Sequence, residues 1–81
     1  MKRLMTSSDF SFRAFAYRLD LFFALQHYAI ENQRMRQLRK TCNGNVPLPV
    51  WHSQRRRIMR AQINIIMRRN ILEDFLKVLN N

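Results

Sequence analysis

The sequence predicts an all-α fold in which two long helices form an antiparallel helical hairpin joined by a proline-containing loop. The chain of 81 residues contains one glycine and two prolines, and all three lie between residues 44 and 49. On both sides of this segment, apolar residues recur at the three- and four-residue spacings of helices. A chain of this length forms one small domain, residues 1–81. We expect helices over about residues 9–39 and 53–79, with a loop over residues 40–52.

The first helix has start signals and no internal breaker. Thr6-Ser-Ser-Asp9 offers three candidate N-cap side chains, and Thr6 with Asp9 is similar to a capping box. Between Phe10 and Arg39 there is neither glycine nor proline, which predicts one uninterrupted helix.

Placing its residues about 100° apart gives this helix two apolar faces, roughly opposite each other. One face is rich in phenylalanine: Phe12, Phe15, Ala16, Leu19, Phe22, Phe23 and Ile30. The other contains Tyr17, Leu21, Ala24, Leu25, Tyr28 and Met35, and a polar strip of Arg13, Asp20, His27 and Glu31 separates the two. Because the second helix of a hairpin covers only one face, the other needs a partner protein, a second copy of the chain or lipid. The candidate protein-interface residues are Phe12, Phe15, Leu19, Phe22, Phe23, Tyr28 and Trp51.

Turn-forming and capping residues predict where the loop lies and where the second helix begins. Asn43-Gly44 is placed to end the first helix. The segment Val46–Val50 contains both prolines and is expected to be extended. Trp51 then packs back on a helix, and Ser53 is a candidate N-cap for the second helix. The apolar face of that helix contains Ile58, Ala61, Ile65, Leu72, Phe75, Leu76 and Leu79, with a smaller patch of Met59, Ile63 and Ile66.

Basic residues concentrate in one stretch of the chain. Between Asn32 and Leu72 there is no Asp or Glu, and the charge of this stretch equals the net charge of the whole chain, +10. Arginine outnumbers lysine twelve to three, which favours phosphate as the partner because guanidinium groups make bidentate contacts and stack on bases. The nucleic-acid-binding candidates are Arg34, Arg36, Arg39, Lys40, Arg55, Arg56, Arg57, Arg60, Arg68 and Arg69.

Within this stretch, Arg55, Arg56 and Arg57 are expected in the first turn of the second helix. Free backbone N–H groups and the helix dipole favour anions at that position, so three cations there are unfavourable. A bound phosphate would offset this unfavourable electrostatic energy. Solvated basic residues, anionic lipid or an acidic protein surface are the alternatives to nucleic acid.

Catalysis and metal binding are not expected. The chain has one cysteine, Cys42, and two distant histidines, His27 and His52, too few for a disulfide or a structural zinc site. A single glycine excludes a glycine-rich phosphate-binding loop, and the five acidic residues form no convincing carboxylate pair. We therefore expect no cofactor, no catalytic residue and no small-molecule substrate.

Membrane contact is conceivable but a membrane span is not. The run from Phe10 to Ile30 is long enough to cross a bilayer, yet it contains Arg13, Arg18 and Asp20. Each charge at the centre of a span costs about 2.5–3.5 kcal/mol. The segment Met1–Arg18 lacks the apolar region of a secretory signal, and it is basic, contains serine and is amphipathic, like mitochondrial targeting segments. The alternative is an ordinary helix start, which the acidic residues Asp9 and Asp20 favour. The predicted location is mitochondrial, in the matrix or at the inner membrane, and not secreted.

These features predict a non-catalytic, RNA-associated structural subunit of a large ribonucleoprotein, best matched by an organellar or divergent ribosome. Its partners would be RNA, rRNA above all, and neighbouring protein subunits. The alternative is a structural or assembly subunit of a mitochondrial membrane protein complex. A third interpretation is a viral or phage regulator that self-associates through its second apolar face.

Overall fold

The computed structural model describes residues 7–80 and confirms the helical hairpin. Helix α1 spans Ser7–Thr41 and helix α2 spans Leu48–Asn80. The two helices pack side by side along their length, so the molecule is a rod with extents of 60 × 18 × 17 Å. Within residues 7–80 there is no β-strand. Of the predicted N-cap residues, Thr6 lies outside this range, and Asp9 supplies the acidic residue of the first turn of α1.

The seam between the helices repeats every seven residues. Its α1 positions are alternately four and three residues apart: Phe10, Ala14, Tyr17, Leu21, Ala24, Tyr28, Glu31, Met35 and Leu38. On α2 the matching series is Trp51, Gln54, Ile58, Ala61, Ile65, Arg68, Leu72 and Phe75. A mean spacing of 3.5 residues is that of a coiled coil, in which side chains of one helix insert between those of the other.

The core along this seam is thin. Its buried apolar residues are Ala14, Ala24, Met35 and Ala61, and no large side chain of the described residues is fully buried. Near the chain termini, the ring of Phe75 packs in the seam between the helices. It stacks on Phe10 and makes an edge-to-face contact with Tyr17, with centroid distances of 5.1 Å in both pairs.

The structure decides which apolar face of α1 meets α2. Ala24 and Met35 are buried in the seam, so the predicted second face of α1 is the covered one, except for Leu25 at its edge, which is exposed. The phenylalanine-rich face points away from α2.

Helix α1 ends in a Schellman motif. The N–H of Gly44 donates to the carbonyl of Arg39 at 2.8 Å, and the N–H of Asn43 donates to the carbonyl of Lys40 at 3.3 Å. Asn43 and Gly44 both have positive φ, 51° and 85°. The expectation that Asn43-Gly44 terminates the first helix is confirmed.

Helix α2 begins at Leu48, five residues before the predicted start. The expectation of an extended Val46–Val50 segment was therefore wrong from Leu48 onward, and Ser53 lies inside the helix instead of capping it. The N–H of Trp51 donates to the carbonyl of Pro47 at 2.9 Å, which is the first helical hydrogen bond. Because N–H groups in the first turn have no intrahelical acceptor, Pro49 costs no hydrogen bond there.

Candidate nucleic-acid interface

The loop end of the hairpin, defined here as residues 34–60, carries eight basic side chains and no acidic one. They belong to the end of α1 and the first part of α2, which the hairpin brings together. Two contacts between the helices, Arg39 with Trp51 and Glu31 with Gln54, show that these parts of α1 and α2 lie side by side. Of the ten predicted nucleic-acid-binding residues, the structure therefore gathers eight. Arg68 and Arg69 lie farther along α2, outside the loop end.

Seven of these eight cations have no carboxylate partner among the described residues, and all seven are exposed. They are Arg36, Arg39, Lys40, Arg55, Arg56, Arg57 and Arg60. Like charges crowded on a narrow rod repel one another, and polyanion phosphates would relieve this repulsion.

The other three predicted residues are paired with acids. Arg34 contacts Glu31 at 3.0 Å, whereas Arg68 and Asp20 are 3.8 Å apart and Arg69 and Glu73 are 3.9 Å apart. The last two pairs are exposed and long, so they contribute little to stability. Their arginines belong to a charge-balanced part of the molecule.

The placement of Arg55, Arg56 and Arg57 in the first turn of α2 was wrong. The first turn is Leu48–Trp51 and contains no charged residue, so the triplet lies in the third turn. The helix dipole acts mainly within the first turn, and it gives no anion preference to these residues. All three side chains are exposed, and because successive residues on a helix are about 100° apart, they project to three different sides.

Trp51 joins the two helices at the loop end. The guanidinium carbon of Arg39 lies 5.1 Å from the centre of the Trp51 ring, a cation–π contact. A groove beside this contact is lined in part by Asn32, Arg36 and Arg55. The expectation that Trp51 packs back on a helix is confirmed. Its ring is half-buried within the hairpin, which leaves only part of it for the predicted contact with another protein.

Glu31 lies at the centre of a buried polar cluster, whereas the sequence pattern predicted a position on the polar strip between the two apolar faces of α1. Glu31 is only 2% exposed. The side-chain amide of Gln54 donates to the Glu31 backbone carbonyl at 2.8 Å and to its carboxylate at 3.0 Å. Arg34 also donates to this carboxylate at 3.0 Å, and His27 lies 3.7 Å away. The available signal was the seven-residue repeat, because Glu31 and Gln54 both occupy seam positions.

The predicted protein-interface residues divide into two groups. Phe12 and Phe15 are 72% and 62% exposed, and Leu19, Phe22 and Phe23 are exposed beside them. By contrast, Tyr28 is half-buried and its hydroxyl accepts a hydrogen bond from Gln62 at 3.3 Å. Tyr28 and Trp51 therefore contribute mainly to the hairpin itself.

The described residues contain no group of three or more side chains able to hold a metal ion. Cys42 lies half-buried at the end of α1, His52 is exposed, and His27 is engaged with Glu31. Neither described helix combines the length and the apolar character needed to cross a bilayer.

No known protein family, curated protein or solved structure matches the chain. Function is therefore inferred from two features of the molecule, the basic loop end and the exposed phenylalanine-rich face of α1.

Proposed function

We propose that the protein is a non-catalytic, RNA-associated structural subunit of a large ribonucleoprotein, best matched by an organellar or divergent ribosome. The loop end binds RNA phosphates, and the exposed apolar surfaces contact neighbouring protein subunits. The observation that carries the proposal is the set of seven exposed cations at one end of the rod that have no carboxylate partner within residues 7–80. Six of the seven are arginines, the side chain best suited to bidentate phosphate contact.

Folded RNA is favoured over a DNA duplex by the directions of these side chains. A helix that reads the major groove presents its contacts along one edge. Here Arg55, Arg56 and Arg57 project to three sides of a rod that is only 18 × 17 Å in cross-section. Such a rod suits a position between several phosphate backbones, as in folded RNA, where contacts follow shape more than base sequence.

The proposed location is the mitochondrion, in the matrix or at the inner membrane. The basic, serine-containing segment Met1–Arg18 supports it, by its similarity to targeting segments. Fusion of this segment to a fluorescent protein should direct the fusion to mitochondria, and a diffuse signal would argue against this location.

Filter binding of a structured RNA across a salt series tests the RNA proposal. If about four to seven phosphates are contacted, log K should fall against log salt with a slope of about −3 to −6. A structured RNA of unrelated sequence should bind with similar affinity. A slope near zero would overturn the proposal, because it would mean that few counterions are released.

The alternative is a structural or assembly subunit of a mitochondrial membrane protein complex. The specific observation in its favour is the exposed phenylalanine-rich face of α1, which could lie against an apolar subunit or the membrane interface. The protein would then sediment with membranes after nuclease treatment. Release into the soluble fraction by nuclease, together with loss of RNA, would favour the ribonucleoprotein.

A further inference from the structure

The outward surface of α1 carries six exposed apolar side chains, named here the Phe face: Phe12, Phe15, Leu19, Phe22, Phe23 and Ile30. We propose that the Phe face joins two copies of the chain in an antiparallel dimer, with the two α1 helices in the middle of a four-helix assembly. This dimer does not depend on RNA binding. In such a dimer the Phe face mediates self-association, and the outward patch of α2, formed by Met59, Ile63 and Ile66, stays available for other subunits.

The spacing of the Phe face is that of a second coiled-coil seam. Phe12, Leu19, Phe23 and Ile30 are seven, four and seven residues apart, which are spacings of the same seven-residue repeat that α1 uses toward α2. A partner helix must carry the same seven-residue repeat to interlock along such a stripe. A second α1 carries that repeat by definition, in the same length and with side chains of matching size.

The exposed area is sufficient for a dimer. Phe12, Phe15, Phe22 and Phe23 are 72%, 62%, 51% and 58% exposed. With about 200 Å² for each aromatic side chain, these four alone leave roughly 500 Å² uncovered, or roughly 1,000 Å² for two copies. Leu19, Ile30 and the helix backbone add to this, which brings the contact to the size of specific interfaces, about 1,200 Å² and above.

Charge selects the antiparallel orientation. The Phe face lies in the terminal half, defined as residues 9–30 and 63–78, where five basic and four acidic side chains nearly balance. An antiparallel pairing centred near residue 21 joins these halves and points the two loop ends in opposite directions. At about 1.5 Å per residue the loop ends would begin roughly 40 Å apart, several times the screening length of about 8 Å. A parallel pairing would place two sets of eight cations side by side.

The outward patch of α2 is a poorer surface for a second copy. Met59, Ile63 and Ile66 are about half exposed but lie beside Arg56 and Arg60. Pairing through this patch would bring two basic loop ends together. Farther along the helix Met67 and Ile71 are also exposed, but Asn70 and Asp74 interrupt this face.

The mass of the purified, nucleic-acid-free chain in solution tests the proposal directly. Sedimentation equilibrium at physiological salt should give about twice the chain mass of 9.9 kDa, with dissociation on dilution. A chain that stays monomeric up to about 100 μM would overturn the proposal, and would reassign the Phe face to a different protein or to a membrane.

Matched variants locate the interface. Phe15→Glu and Phe22→Glu should each weaken the dimer by roughly a hundredfold or more, because each buries a carboxylate and removes an aromatic contact from both copies. Ile66→Glu is the control, since Ile66 is 49% exposed, much like Phe22 at 51%, but lies on α2. Circular dichroism should show that all three variants remain helical. A dimer that survives both phenylalanine variants, or that is lost in Ile66→Glu alone, would overturn the assignment.

Cysteine cross-linking tests the orientation. In a Cys42→Ser background, Phe22→Cys lies close to the predicted two-fold axis, and an added thiol oxidant such as oxidised glutathione should convert the two copies of this cysteine into an intermolecular disulfide. Phe12→Cys should not form one, because its two copies would lie roughly 27 Å apart along the axis at about 1.5 Å per residue. Efficient cross-linking of Phe12→Cys would indicate a parallel dimer and contradict the proposal.

Discussion

The loop end and the terminal half share one seam but differ in what they expose. The loop end surrounds the seam with eight basic side chains, seven of them without a carboxylate partner among the described residues. The terminal half has nearly balanced charge and exposes four phenylalanines of the Phe face. A hairpin with one regular seam therefore presents two chemically different surfaces, one suited to polyanions and one to apolar partners.

The two regions are also held together by different interactions. In the terminal half, Phe75 contacts Phe10 and Tyr17 through ring packing. Near the loop end, the helices are joined by the hydrogen bonds of Gln54 to Glu31 and by the contact of Arg39 with Trp51. Ring packing tolerates small shifts along the axis, whereas directed hydrogen bonds do not. The Glu31–Gln54 contact thus fixes the register of the helices next to the proposed RNA-binding surface.

The largest expected effect is on RNA affinity, which should depend on cations of the loop end and not on those of the terminal half. Replacing Arg55, Arg56 and Arg57 together with Gln should reduce the salt slope by about 2–3 and weaken binding at physiological salt by roughly a hundredfold, because three phosphate contacts are lost. The matched control replaces Arg13, Arg18 and Lys77 with Gln, which removes the same charge from the terminal half. Filter binding should find the control within a fewfold of the unmodified protein. Equal losses in both triple variants would mean that net charge, and not the loop end, determines binding.

The next effect concerns the polar cluster. Gln54→Ala should lower the free energy of unfolding by about 1–3 kcal/mol, because it leaves a buried carboxylate and a buried carbonyl short of a hydrogen-bond donor. Urea unfolding at one fixed protein concentration measures this, with Gln62→Ala as control, since Gln62 is exposed and its bond to Tyr28 is longer. The control should stay within about 0.5 kcal/mol.

The joint replacement of Glu31 and Gln54 by Leu tests whether the polar cluster itself contributes to the free energy of unfolding. It should be close to neutral or stabilising, since apolar side chains then fill both seam positions. Strong destabilisation by this double variant would show that the cluster adds stability beyond the cost of its own burial.

The smallest expected effect is at the turn. Gly44→Ala should lower the free energy of unfolding by about 1 kcal/mol, because φ is +85° and an L side chain is disfavoured there. The cause would be backbone strain alone, as no atom lies within 4 Å of an added Cβ. Asn43→Gly, at a φ of 51°, is the matched control and should be neutral within about 0.5 kcal/mol. Thermal unfolding distinguishes the two, and an unaffected Gly44→Ala would mean that the turn does not limit stability.

Most of the fold could be predicted from the sequence, but part of the site could not. The absence of glycine and proline outside one segment predicted both helices, and Asn43-Gly44 predicted the end of the first. The prediction placed the start of the second helix too late, because proline disfavours the α region in the residue before it, although the first turn of a helix tolerates proline. That error also misplaced Arg55, Arg56 and Arg57 relative to the helix dipole.

The composition and order of the residues determined two long helices, a tight turn between them and a cluster of cations without local acids. These properties depend on neighbours a few residues apart in the chain, through backbone conformation and helical spacing. Only the tertiary structure decided which apolar face of α1 is covered, that Gln54 is the residue Glu31 meets across the seam, and that Arg68 pairs with Asp20 on the other helix. Both faces of α1 are apolar enough to be buried. The choice between them depends on the axial and rotational fit of two helices, which no local pattern encodes.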